Sequence, residues 1–125
     1  MCLETYNKNP YTANKNIVVY KIMLKSFFEE IISPYWGFVY KLRTLYSTSL
    51  SVRQSLHSNK LYLIEKGLHA YTSIDKAKEE IEFFNKATIY RCIIPKGSLY
   101  YINEQDNEIV SNQLIVKRKL WFNRF

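Results

Sequence analysis

A chain of 125 residues, 47% of them hydrophobic, fits one compact domain (1–125) and leaves no room for a second core. No stretch approaches the roughly 18 consecutive apolar residues of a membrane span, and the opening "MCLETYNKNP" is polar where a signal peptide needs an apolar region, so a soluble, cytoplasmic protein is expected. With Gly at 3, glycine-rich nucleotide loops are excluded, and the net charge of +7 points toward anionic partners.

That charge is unevenly spread. Residues 1–62 hold eight basic against three acidic side chains, residues 63–112 six against eight, and the last thirteen residues four basic and none acidic. Positive potential therefore belongs to the first half and the tail.

In chain order, residues 1–15 mix Asn, Lys, Thr, Tyr and Pro without periodicity and read as a loose arm. "NIVVYKIML" is β-branched and apolar with Lys21 its only charge, which predicts a central strand. "IISPYWGFVYKL" predicts strand, tight connection, strand, with Tyr35 and Trp36 at the bend. "RTLYSTSLSVRQSLHSN" alternates hydroxyl and apolar residues and reads as irregular strand, long loop or both, while "KLYLI" is a strand candidate closed by Lys66-Gly67. "HAYTS" is short and extended. Next comes the clearest helix, about 74–85, with Thr72 or Ser73 as N-cap, Asp75 in the first turn, and Ile74, Ala77, Ile81 and Phe84 at helical spacing. "ATIYRCII" predicts a second strong strand holding Cys92 in the core. Pro95-Lys96-Gly97 turns it into "SLYYI", "IVSNQLIVKR" gives one or two strands, and 117–125 forms a basic aromatic tail. The expectation is an α+β domain: a bent, mainly antiparallel sheet of six to eight strands with one main helix.

Chemistry-bearing signals are few. No GxSxG, HExxH or paired-carboxylate pattern occurs, and no Cys/His spacing suits a metal, so neither metal nor cofactor is expected. His69, between a glycine turn and a helix, is suited to acid–base work if a partner orients it; its bland role is to fill a turn-to-strand junction. His57 has no distinctive context and reads as a surface residue. Between Glu30 and Glu65 no acid appears, while Lys41, Arg43, Arg53, His57 and Lys60 are interleaved with Tyr35, Trp36, Tyr40 and Tyr46. Arginine forks hold phosphate oxygens and aromatic faces stack on bases, so this interval is the candidate anion site, with His69 and Lys96 at its rim. The tail, with Lys117, Arg118, Lys119 and Arg124 around Trp121 and Phe122, suits a neighbouring subunit or an anionic surface.

Taken in order, "EKGLHAYTSIDKAKEE", "YRCIIPKGSLYY" and "EIVSNQLIV" resemble a pattern of small proteins of bacteriophages and the bacteria they infect. The resemblance spans about residues 18–118 and implies a viral or mobile-element accessory protein acting in the host cytoplasm, for instance against host defence. A second resemblance, to ADP-ribosyltransferase-type folds, implies roles for His69 in dinucleotide binding, for Tyr90 and Tyr101 beside it, and for Glu108 in transfer.

The leading expectation is a non-enzymatic protein that captures an anionic partner, whether nucleotide, nucleic acid or acidic host protein, by sequestration or occlusion through Tyr35, Trp36, Lys41, Arg43 and Arg53. A homo-oligomeric viral assembly protein is the second reading. The third is the transferase, with His69, Tyr101 and Glu108 as its catalytic group.

Overall fold

The chain enters as two short strands, β1 (Leu3–Thr5) and β2 (Tyr11–Thr12), followed by the long β3 (Ile17–Lys25). Short pieces come next: β4 (Ile31–Ile32), β5 (Val39–Tyr40), β6 (Leu45–Ser47), β7 (Ser51–Gln54), β8 (Tyr62–Lys66) and β9 (Leu68–Tyr71). Helix α1 (Ile74–Glu80) runs into a 3-10 turn (Ile81–Phe83), and β10 (Ala87–Ile94), β11 (Leu99–Asn103), β12 (Glu108–Ser111) and β13 (Gln113–Lys119) complete the fold. The computed structural model describes residues 3–25, 31–32, 39–56, 58, 60–84 and 86–120, with the backbone alone at 25, 31 and 32.

All pairings are antiparallel. A ten-stranded sheet follows the order β2-β11-β12-β9-β3-β10-β13-β6, with β4 and β5 attached beside β3, and a three-stranded sheet follows β1-β8-β7. The mainly antiparallel sheet with one main helix is as expected, but among the described residues the molecule is mostly β rather than α+β and has more strands than the expected six to eight. The extra strands are two to four residues long, too short to leave an alternating pattern in the sequence.

The register between β3 and β10 runs unbroken from Ala87↔Leu24 to Ile94↔Ile17, and side chains alternate between the two faces of the sheet. Val19, Met23, Tyr90, Cys92 and Ile94 point to one face, where they join Leu68, Ala70, Ile109, Leu114, Val116 and Tyr40 in the main core. Strands from both ends of the sheet contribute to that cluster, so the sheet curls around it. Ile22 and Ile89 point to the other face, where Ala77 of α1 and Ile81 of the 3-10 turn cover them. The small sheet covers the same outer face further along, packing Leu3 and Ile64 on Tyr101 and Val110.

The helix starts as its sequence dictates: Ser73 is the N-cap, its hydroxyl accepting from Lys76 N–H at 3.2 Å, and Asp75 lies in the first turn. It ends earlier than the expected residue 85. Phe84 is already extended (φ −122°, ψ 139°), and Lys86 takes a positive φ of 55° to reverse the chain into β10. Ile81, in the 3-10 turn, and Phe84, which closes it with its N–H on Ile81 O, keep their places in the apolar cluster.

The expected loose arm is tied down over its described length. β1 pairs with β8 from Leu3↔Ile64 to Thr5↔Tyr62, β2 pairs with β11, and Ala13 exchanges hydrogen bonds with Ser98 and Gly97. Leu3 is 1% exposed. Over its described residues the 43–59 interval divides between the sheets: β6 lies beside β13 and β7 beside β8, so the chain crosses from one sheet to the other between them. The return crossing is at Gly67, where an added Cβ would lie 2.2 Å from Val110 Cγ1 and 2.8 Å from Leu50 Cδ2. Of the tail, 117–119 belong to β13 and Leu120 donates its N–H to Ile89 O; 121–125 lie outside the described residues.

Because Leu3 seals the small sheet against Tyr101 and Val110, Leu3→Ala is expected to lower unfolding stability by about 2–5 kcal/mol, the range for a buried Leu truncated to Ala. Urea denaturation reads this directly, whereas a detached arm would leave the midpoint unchanged.

Candidate functional site

Two places carry chemistry beyond packing. One is inside the curled sheet. Lys21 points inward from β3 between Val19 and Met23 and is 7% exposed. Its Nζ donates to the His69 carbonyl at 2.5 Å and lies 5.6 Å from the Tyr40 ring centroid. Burial pulls the ammonium down to about 8, and the neighbouring thiol of Cys92 is pushed up to about 12 by the same desolvation. Cys92 is thus a neutral thiol in the range where Lys21 titrates and supplies no compensating anion. Burial also drives the Tyr40 hydroxyl above its usual range, and its ring meets Tyr46 edge-on at 4.9 Å. A carbonyl and an aromatic face are the two partners seen around this buried cation.

His69, 48 residues further along the chain, meets Lys21 through its carbonyl, while its ring turns to the outer face on the Val110 side. Burial, and then the Lys21 charge, lower its imidazole to about 4, so the ring is neutral near pH 7 and a weak base there. Tyr101, Val110 and His69 stand opposite one another on β11, β12 and β9, and Glu108 stands opposite Tyr71. Tyr101 is sealed under the small sheet and its hydroxyl donates to the Lys8 carbonyl at 2.9 Å. That bond anchors the N-terminal segment. Glu108 is half-buried, its carboxyl raised by burial and then by Asp106.

The second place is the basic side of the large sheet. Arg43 takes φ 60° in the turn between β5 and β6, and its N–H donates to Val116 O at 2.8 Å. That bond sets the turn against β13 just where Lys117, Arg118 and Lys119 begin. Lys41, exposed in the same turn, is fixed by its own N–H donating to Tyr46 Oη at 2.6 Å. Across the ladder, Arg118 stands opposite Arg91 of β10. The acid-free interval and the basic tail, far apart in sequence, meet along β13.

The other expected contributors lie elsewhere. Arg53, on β7 of the small sheet, is ion-paired with Glu65, so it is not an open anion site as expected. Lys96 is exposed at the β10–β11 turn, held by its N–H to Asn16 Oδ1 at 2.9 Å. Tyr35, Trp36, His57, Trp121, Phe122 and Arg124 lie outside the described residues. Arg91 was missed because one Arg in an apolar strand carries no signal until register puts a second opposite it. Lys21 had a legible signal, a lone charge in a central-strand pattern.

Among the described residues no helix is long and apolar enough to cross a membrane, and no three His, Cys, Asp or Glu side chains gather as metal ligands. Comparison with family models, with curated proteins and with solved structures returns no match.

Lys21 sets a pH signature. Its folded pKa of about 8 lies below the unfolded 10.5, so the cost of burying its charge is full below pH 8 and fades as pH rises toward 10.5. Lys21→Met is therefore expected to stabilise the protein at pH 7 by up to about 3 kcal/mol, with the gain shrinking above pH 8. Paired thermal melts of the two proteins from pH 6 to 10 measure it. A destabilised variant at pH 7 would show that the bond to His69 outweighs the desolvation.

Proposed function

We propose that this chain is a non-catalytic binding protein that holds an anionic partner against the basic side of its large sheet, acting by sequestration or occlusion. The observation that carries the reading is the segregation of charge. The described acids sit on β1, β8, α1 and its 3-10 extension, the β11–β12 turn and β12; β3, β10, β13 and residues 39–48 hold none. Lys41, Arg43, Arg91, Lys117 and Arg118 therefore share a region where, among the described residues, no carboxylate of their own strands neutralises them. Such a field raises the local concentration of anions and speeds their encounter.

The phage-type accessory role suggested by the sequence motifs accords with this reading, since capture of a host nucleic acid, nucleotide or acidic protein needs a charged surface and no reaction. The interior residues are consistent with it as well: His69 is neutral and Tyr101 is occupied by the Lys8 carbonyl.

Charge reversal at Lys41 and Arg43 together is expected to lower the salt concentration at which the protein leaves an immobilised polyanion such as heparin. Arg53→Glu should move that point less, since Arg53 already has Glu65 as its partner. Elution unchanged by Lys41→Glu with Arg43→Glu would remove this surface as the site.

A further inference from the structure

Resting on that reading, we infer that the outer face of β3, β10 and β13 seats single-stranded nucleic acid, with the Arg91–Arg118 pair as its phosphate clamp. Directly opposed like charges destabilise an antiparallel ladder. Here, among the described residues, neither arginine has an acidic partner, and the next residue in the same row, Tyr20 on β3, is no acid either. Side chains directly opposite stand about 4.5–5.5 Å apart at Cβ, so two planar guanidinium forks can reach the same phosphate oxygens. Beside the pair the register shifts between Arg91 and Cys92, and β13 spends two steps, from Arg118 to Val116, on one step of β10. The extra residue is Lys117, so this bulge adds a third cation at the same place.

The row next to the clamp is apolar: Val18, Ile93 and Ile115 stand opposite one another on the three strands. Val18 is exposed and the other two partly so, because α1 covers Ile22 and Ile89, further along. A cationic row beside an apolar row on a sheet face matches a polymer that alternates charged phosphates with flat apolar bases. This face lies on the outside of the curl. A rigid duplex would touch it over little area, whereas a flexible strand can follow it. An acidic peptide would satisfy the arginines and leave Val18, Ile93 and Ile115 uncovered.

The test is fluorescence anisotropy with labelled oligothymidylate, the same strand in duplex, and labelled polyglutamate, each over a range of salt. The wild-type chain should prefer the single strand. Arg91→Ala and Arg118→Ala should each weaken it by about tenfold, with the double variant losing less than the product, because both act on one phosphate. Ile93→Glu should weaken the single strand as well. Removing one of two opposed cations should leave thermal stability unchanged or higher. If an alanine variant unfolds, Arg91→Lys and Arg118→Lys decide, and they should keep the fold while losing part of the affinity. Equal or tighter binding of duplex or polyglutamate, or single-strand affinity unmoved by either arginine, overturns the inference. Polyglutamate binding alone would do so while leaving the anion-capture reading intact; failure of every polyanion would remove both.

Discussion

The ladder between β3 and β10 is the constraint from which the rest of the structure follows. Eight consecutive residue pairs hold the two longest strands in one register, and a slip of one residue would exchange their faces. In the observed register Val19, Cys92 and Ile94 face inward, Ile22 and Ile89 meet the helix, and Arg91 is left outside opposite Arg118. Core, helix site and basic surface are thus three results of one alignment.

That alignment has a cost, which is Lys21. Alternation leaves it no alternative to the interior, and its amine is accommodated by a carbonyl from β9 and the ring of Tyr40 on β5. The contact ties three strands that are distant in sequence to one point. It also sets a buried cation, whose charge is opposed by desolvation, apart from the surface pair Arg91 and Arg118, which face one another across a ladder.

The long elements were legible because their patterns exceed local noise. β3, β10 and β13 are runs of β-branched and apolar residues, and Ser73 and Asp75 mark the helix start. What escaped was short or relational. β1 has one buried Leu in a polar stretch and owes its place to backbone pairing with β8, which no local pattern encodes. The helix stops before Phe84 because the chain must reverse at Lys86, a tertiary demand. For the candidate site, Lys41 and Arg43 could be singled out from the absence of acids around them, but Arg53 belongs to a different sheet and is taken by Glu65, a carboxylate twelve residues away in sequence. Arg91 and Arg118 become a pair only through register across the sheet.

The lengths of the strands at the borders complete the picture. The long strands β3, β10 and β13 all lie inside the large sheet, whereas its path ends in the two residues of β2 and the three of β6, and the small sheet ends in β1 and β7, of three and four residues. A border that brief offers an approaching chain very few unpaired amide and carbonyl groups to template on. In a protein so rich in β-structure and tyrosine, such short borders disfavour the pairing of one copy's sheets with another's, and the mutual repulsion of its positive charges acts in the same direction.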